Sequence, residues 1–564
     1  MTSALLTRPS GAGAARPIPL TVSKPSVRRH DLDALRAIAM LLGIVLHAAL
    51  SFTSVPWPVH DTQPGEIYHV LFACVHGFRM PLFFLLSGFF TAMLWRKRGL
   101  VSLVKHRCKR ILLPLFFGCV TIVPVMWVVS GFVSQPATDQ ETSTIFSAVV
   151  EGDVVRLRSE LQRAEVEGSG MDVNAFDAAS GSSPLCTAVF LGHTEIVEML
   201  IDAKADVNLP NRDKARPLHI AVFMARPEEA ALLLQAGADA NGLDGTGATP
   251  GDLLNTDFGT TAFVAGSLGV QLDEESVLKG REKIADLLGE AEYLGSDAGA
   301  SGSMQGLMSL LFYLPAFMHL WFLWFLCWFV VAFLIYAWIA RAVGIERLPK
   351  WIVCSPFSLL WLIPITMVPQ AFMEPGSFGP DASVGLLPLP SVLIYYAIFF
   401  FFGALYWEMD DSQGQLGSWW KAGLPFALLF VFPIGFDLMT GSFGIVPMLE
   451  SESTAAWAGN FLEAAFAWLM AFGSIGLCRN LLSGESKAMR YLSDSSYWLY
   501  LVHLPLVILA QWFVRDLPVP ACLKFAGITI VVSGLLLVTY QYGVRYTLIG
   551  HLLNGPRTRP SQAV

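Results

Sequence analysis

The sequence predicts an all-α fold, a polytopic membrane bundle of about ten spans interrupted by an inserted helical solenoid. Three observations carry this. Of 564 residues, 54% are hydrophobic and only 15% charged, with 39 Phe and 16 Trp. The charges are segregated, leaving the long apolar runs that mark membrane helices. Lys and Arg concentrate in alternate loops, as orientation in a membrane demands. Within one long polar stretch, Pro184, Pro217 and Pro250 recur every 33 residues.

The first 30 residues are basic and contain Pro and Gly, so they read as a disordered tail with no cleavable signal. Apolar spans are expected at 35–52, 68–95, 109–131, 318–342, 351–370, 390–409, 423–439, 455–478, 490–514 and 521–549. The stretch 304–317 is apolar but short, and fits a re-entrant or interfacial piece. Lys24, Arg28 and Arg29, the loop Arg96–Arg110, then Arg341, Arg347 and Lys350, and finally Arg557 and Arg559 all fall on one side. That side is the inside, with both termini. The opposite loops carry Glu374, Asp381, Glu450 and Glu452. A bacterial inner membrane with residues 136–300 in the periplasm follows. The membrane domain then has two parts, 31–135 and 301–550, with a tail at 551–564. The eight Cys fall singly, with no CxxC pair, so neither a metal site nor a disulfide framework is expected. Nothing points to nucleic acid.

The insert repeats more than its prolines. Asp206/Asp239 and Asn208/Asn241 share the 33-residue period, and Pro217-Leu-His-Ile-Ala221 and Glu195-Ile-Val-Glu-Met-Leu-Ile201 supply the two helices of a unit. This resembles the ankyrin repeat. About three and a half repeats are expected over 145–254, followed by a degenerate cap and a Gly/Ser-rich linker to residue 300. Such an array offers a concave surface to a protein partner.

Ionisable residues inside apolar helices are functional candidates by default. Arg36 and His47 lie on one helix, returning to within roughly 20° of the same face about 16 Å apart. His76 and Arg79 are neighbours on the second span, level with His47. His319 opens the fourth span from the same side, and His503 lies midway along the ninth, somewhat below that layer. Asp33, Arg36 and the basic stretch 96–110 mark the inner face. A cationic inner mouth and an imidazole-rich outer one suit transfer of an acyl group from a polyanionic donor. Imidazole can deprotonate a hydroxyl near neutral pH, whereas guanidinium holds phosphates or an oxyanion. Each residue also has a structural reading. Arg36 can snorkel, lone histidines can bond between helices, His319 can belong to an aromatic belt, and Ser87-Gly88 can serve close helix packing.

These residues resemble the acyltransferase-3 family of integral membrane O-acyltransferases. Its marks are Arg and His with ten residues between them on the first span (Arg36, His47), the segment Phe78-Arg-Met-Pro-Leu-Phe-Phe-Leu-Leu-Ser-Gly-Phe-Phe90, and Arg107-Cys-Lys-Arg-Ile-Leu-Leu-Pro114. Within the family, His319–Leu326, Tyr395–Gly403 and Tyr491–Pro505 bring it nearest to the glucan-biosynthesis protein C branch. The resemblance implies the family's ten-span fold and essential roles for Arg36 and His47. It implies a hydroxyl of an envelope glycan or lipid-linked carbohydrate as acceptor, with acetyl- or succinyl-CoA as co-substrate and no other cofactor. His47, Arg36 and Arg79 are then the expected catalytic set. Asp33, His76, His319, His503 and Ser87 are expected to contact substrate. The rival reading is a transporter or channel with an ankyrin docking domain.

Overall fold

The computed structural model describes residues 29–53, 55, 57–133, 144–167, 172–176, 181–211, 214–244, 248–256, 258–267, 270–289, 311–312, 314–343, 349–373, 378–444, 452–555 and 557. The expected N-terminal tail up to residue 28, the Gly/Ser-rich linker and most of 304–317 lie outside the described residues, while His30, expected in the tail, opens the first helix. Among those described, every regular element is helical.

The first helix, α1 (His30–Leu50), opens with Asp31 and Asp33, carboxylates favoured at a helix N-terminus. α2 (Glu66–Arg107) is broken at Gly99, where φ is 79° and ψ 171°, a backbone that glycine adopts without strain. The chain doubles back there. Arg107 Nη2 donates to Thr91 Oγ1 at 2.6 Å, although sixteen residues of straight helix would separate the two by about 24 Å. A π-helical turn, Cys108–Leu112, leads into α3 (Leu113–Val133).

The insert stacks helix pairs: α4 (Thr144–Glu151) with α5 (Val154–Glu167), α6 (Pro184–Leu191) with α7 (Thr194–Asp202), and α8 (Pro217–Phe223) with α9 (Pro227–Gln235). Proline sits at the start of α6, α8 and α9, where its missing N–H costs nothing. α10 (Phe258–Ser267) and α11 (Glu274–Leu288) follow, and Ile284 and Ala285 of α11 are fully buried in the array's own core. The cap is therefore a formed helix, and the array extends beyond residue 254.

The membrane part resumes with a short 3-10 turn, Met318–Leu320, then α12 (Trp321–Val343), α13 (Lys350–Cys354), α14 (Leu359–Gln370), α15 (Pro390–Glu408), α16 (Trp420–Phe426), α17 (Phe432–Thr440), α18 (Glu452–Leu481), α19 (Lys487–Val514), α20 (Ala521–Thr539) and α21 (Leu548–Asn554). Eight helical stretches among the described residues are long and apolar enough to cross a membrane, so this is a multi-pass membrane protein. One of the eight, Glu66–Val133, contains the Gly99 break and supplies two of the expected passes. The pass expected at 351–370 is only the shorter apolar stretch Pro356–Gln370. The last expected span, 521–549, ends early, and α21 forms separately, so residues 551–554 are helix and not tail.

One continuous core joins these helices, with Phe84, Phe325, Phe329, Tyr396 and Phe400 fully buried. α2 lies backbone to backbone on α15. A Cβ at Gly88 would overlap the Phe400 carbonyl oxygen, and one at Gly403 the Leu85 carbonyl oxygen. Lipid tails give apolar helices no hydrophobic reason to associate, so such close contact is what binds them. α1 is enclosed by α2, α18, α19 and α20. The bundle thus has an Arg36 end, where α1 and α19 begin and α21 lies, and a His47 end.

Candidate active site

At the Arg36 end a 430 Å³ cavity opens between α1, α2, α12, α19 and α21, with Arg36, Arg107, Arg110 and Arg557 among its lining residues. The π-helical turn after Arg107 widens the helix by one residue, and Arg107 and Arg110 both line the same cavity; such turns are frequent at functional sites. Arg36 Nη2 donates to the Ser493 hydroxyl at 2.7 Å and to the Ser493 carbonyl at 3.1 Å, and lies 3.8 Å from Asp33. Arg36 therefore turns inward rather than out to headgroups. Asp33 and Ser87 line the cavity too, while Gly88 beside Ser87 serves the α2–α15 contact. The cavity ends at Phe322 and Tyr500.

Beyond Tyr500 lies the imidazole cluster. His503 Nδ1 is 2.9 Å from the Tyr500 carbonyl, and His503 Nε2 is 2.9 Å from His47 Nδ1. A carbonyl only accepts, so His503 carries its proton on Nδ1. With neutral rings, His503 Nε2 then accepts from His47 Nδ1–H, and the lone pair on His47 Nε2 is left bare. Two further contacts fix the His47 ring. Trp57 stacks on it at 5.8 Å, and Gln511 ties the two together, donating to the His47 carbonyl at 2.9 Å and accepting from Trp57 Nε1 at 2.8 Å.

His319 lies inside the bundle. Its Nε2 donates to the Leu501 carbonyl at 3.1 Å, its ring stands edge-on to His503 at 5.6 Å, and its buried Nδ1 has no partner. Leu320 beside it packs against Gly118, in the middle of the third pass, so the chain enters the bundle before α12 begins. Met318, just before His319, sits at φ 46°, a strained backbone of the kind that clusters at functional sites.

Arg79 is 9% exposed, and its Nε has no hydrogen-bond partner. It packs on Gly43, one turn before His47, where a Cβ would overlap Nη1. A buried guanidinium that meets no carboxylate among the described residues is poised for developing negative charge. His76 stands apart. It stacks on Phe72 and donates from Nε2 to the Pro380 carbonyl at 3.0 Å. The structure therefore departs from the layer expected of the sequence. His503 lies not below His47 but against it, and His76 faces the loop before α15.

The model of the acyltransferase domain matches residues 29–146 and 284–540, both halves of the membrane part and about two thirds of the chain. The chain belongs to the acyltransferase domain family. In this acyltransferase domain the match is interrupted where three ankyrin repeats match residues 147–244. Among curated proteins, the glucans biosynthesis protein C of Shigella dysenteriae is 35% identical over 102 residues, 18% of this chain and 26% of that protein. Those of Escherichia coli strain SMS-3-5 and of E. coli O1:K1 are 35% and 34% identical over the same length. The aligned region spans about a quarter of those relatives, 26%.

Sequence reasoning missed Trp57, Gln511, Tyr500 and Ser493. Each is an ordinary residue type for a membrane helix or its flanking loop, and the Trp57–Gln511 and Arg36–Ser493 contacts join positions more than 450 residues apart. For Tyr500 a signal was available, since it lies three residues before His503 on the same helix.

Proposed function

We propose that the protein is an O-acyltransferase that moves an acetyl or succinyl group from cytoplasmic acyl-CoA to a hydroxyl of an envelope glycan or related carbohydrate, in a bacterial inner membrane. The observation that carries this is the order of sites along α1: an arginine-lined cavity at Arg36, then Arg79 at Gly43, then the bare Nε2 of His47. The arginines hold the donor phosphates. A long flexible arm separates the phosphates of CoA from its thioester, as these sites are separated.

His47 Nε2 takes the proton of the acceptor hydroxyl as its oxygen attacks the thioester carbonyl. Arg79 stabilises the oxyanion. The C–S bond breaks, and the proton passes from His47 to the departing thiolate, so the reaction releases none. His503 touches no reacting atom in this scheme. It fixes the tautomer of His47, as a third group orients the base in other acyl transfer sites. His319, with an unpartnered Nδ1, is available to an acceptor hydroxyl. The acceptor resembles what the name of the curated relatives suggests, a glucan.

The test uses inverted membrane vesicles given radiolabelled acetyl- and succinyl-CoA, with label followed into glycan. Wild type is expected to label it, and His47→Ala at equal abundance to lose about 10²–10⁴-fold in rate. Equal labelling removes His47 from the chemistry. Substrate flux without any acyl transfer points to transport instead.

A further inference from the structure

The fourth arginine of the cavity comes from beyond the last membrane helix. After α20 the chain folds back as α21 across the Arg36 end, and Leu553, Asn554 and Arg557 join the cavity wall. Three contacts pin this segment. Arg110 Nη1 donates to the Leu553 carbonyl at 2.6 Å, Asn554 Nδ2 donates to the Asp494 backbone carbonyl at 2.7 Å, and Gly555 turns at φ 91° against Arg110. The guanidinium of Arg557 then lies 2.7 Å from the Asp494 carboxylate.

That ion pair is lopsided. The Asp494 side chain is 8% exposed and that of Arg557 24%, so the carboxylate is buried while the cation opens to the cavity. Four arginines and two aspartates line one space, a formal excess of two positive charges. Arg36 and Arg557 are both within electrostatic reach of Arg110. Like charges crowded into a partly buried site repel, and an anion entering among them relieves the repulsion. Structural arginines at a helix end have no need of such crowding.

We propose that the C-terminal segment completes the donor site, with Arg557 a phosphate-binding residue that exchanges the Asp494 carboxylate for a phosphate of the nucleotide part of the donor. This rests on reading the cavity as the acyl-CoA site. Asp494 holds Arg557 in place before the donor binds and competes with the incoming phosphate. Arg557 and Asp494 therefore have opposite effects on binding, although they form one ion pair.

Titration calorimetry of CoA on the full-length protein in detergent tests this. Arg557→Ala is expected to weaken CoA roughly tenfold or more, the worth of one charge-assisted hydrogen bond. Asp494→Asn is expected to bind CoA as tightly as wild type or more tightly, and because Asn554 grips the backbone carbonyl, that anchor survives. Equal weakening by both variants would mean that Arg557 only clasps the C-terminus, and unchanged binding in Arg557→Ala also overturns the proposal. Arg107→Ala separates this from the wider reading. Binding lost there and kept in Arg557→Ala leaves the donor cavity standing without Arg557, whereas a wild type that binds no CoA removes both.

Discussion

His47 is held by three groups, an imidazole, an indole and an amide. His503 is the one that decides its protonation. The Tyr500 carbonyl puts the proton on His503 Nδ1, and this leaves Nε2 as an acceptor for His47. Replacing His503 by Ala frees His47 to place its proton on either nitrogen and to rotate. We expect kcat to fall by about 10–10²-fold, less than for loss of the base itself, with KM for the acyl donor unchanged because the cavity lies beyond Tyr500. Glutamine, which can accept from His47 Nδ1–H, is expected to recover part of the loss. A rise in donor KM at constant kcat would make His503 a binding residue instead. Trp57 and Gln511 act on the same ring from the other side. The loop that carries Trp57 is fastened by a fully buried ion pair, Lys524 Nζ to Asp61 at 2.9 Å, each side chain 1% exposed.

At the scale of helices, the site depends on how closely α2 meets α15, because α2 carries both Arg79 and Ser87. Gly88 and Gly403 permit that contact, and neither neighbour can retreat, since each is backbone. Gly88→Ala is expected to cost about 1–3 kcal/mol and lower the unfolding midpoint in detergent. An unchanged midpoint would show that the helices part without penalty. The insert uses a different device. Asn174 and Asn208 side chains accept from the backbone N–H of Asp206 and Asp239 in the next repeat, at 2.8 Å each, and Arg216 Nη1 reaches Asp239 at 2.6 Å. Hydrogen bonding from Arg216 holds the Asp239 carboxyl below the usual range. A carboxyl depressed in the fold binds fewer protons there than in the unfolded chain. Its stabilising contribution is therefore complete above the ordinary value of about 4 and is lost as pH falls through the depressed one. Hydrogen exchange around Asp239 is expected to quicken over that window in wild type and not in Arg216→Ala. The 33-residue period made Asp206, Asn208 and Asp239 legible in the sequence, as the apolar runs did for the spans, whereas Asn174, one residue out of that period, was not. The reversal between the second and third spans was legible as the basic stretch Arg96–Arg110, but its form was not: helix runs through that stretch and breaks only at Gly99. The short apolar stretch 304–317 marked a re-entrant or interfacial piece before His319, but its contacts inside the bundle were not legible, since apolar residues flank it on both sides.

Across the whole molecule, the sequence supplied the polar groups at each end, and the structure supplied which ones meet. Arg36, Asp33 and the basic stretch at the end of α2 were readable because charge is rare in lipid. The pairing of His47 with His503, 456 residues apart, was not, because helix order around a bundle is set by packing that no local pattern records. The fold also relates the insert to the two ends. Val133, the last residue of α3, packs with Val59 and Ile508 at the His47 end. On the return, Phe317 N–H donates to the Val384 carbonyl in the loop before α15. Both junctions of the insert are thus at the His47 end, opposite the arginine cavity. If the arginines face the cytoplasm, as the bias of Lys and Arg towards that side favours, the array is expected in the periplasm. Two native thiols bracket the bundle: Cys108 is exposed in the turn at the Arg36 end, and Cys522 is exposed at the start of α20 near the Asp61–Lys524 pair. An impermeant maleimide added to intact cells is expected to label Cys522 and an exposed site on the array, Glu198→Cys, in the same step. Cys108 is expected to react only after permeabilisation. Glu198→Cys reacting together with Cys108 would invert the assignment, place the array in the cytoplasm, and require that the chain cross the membrane once more between Val133 and α12.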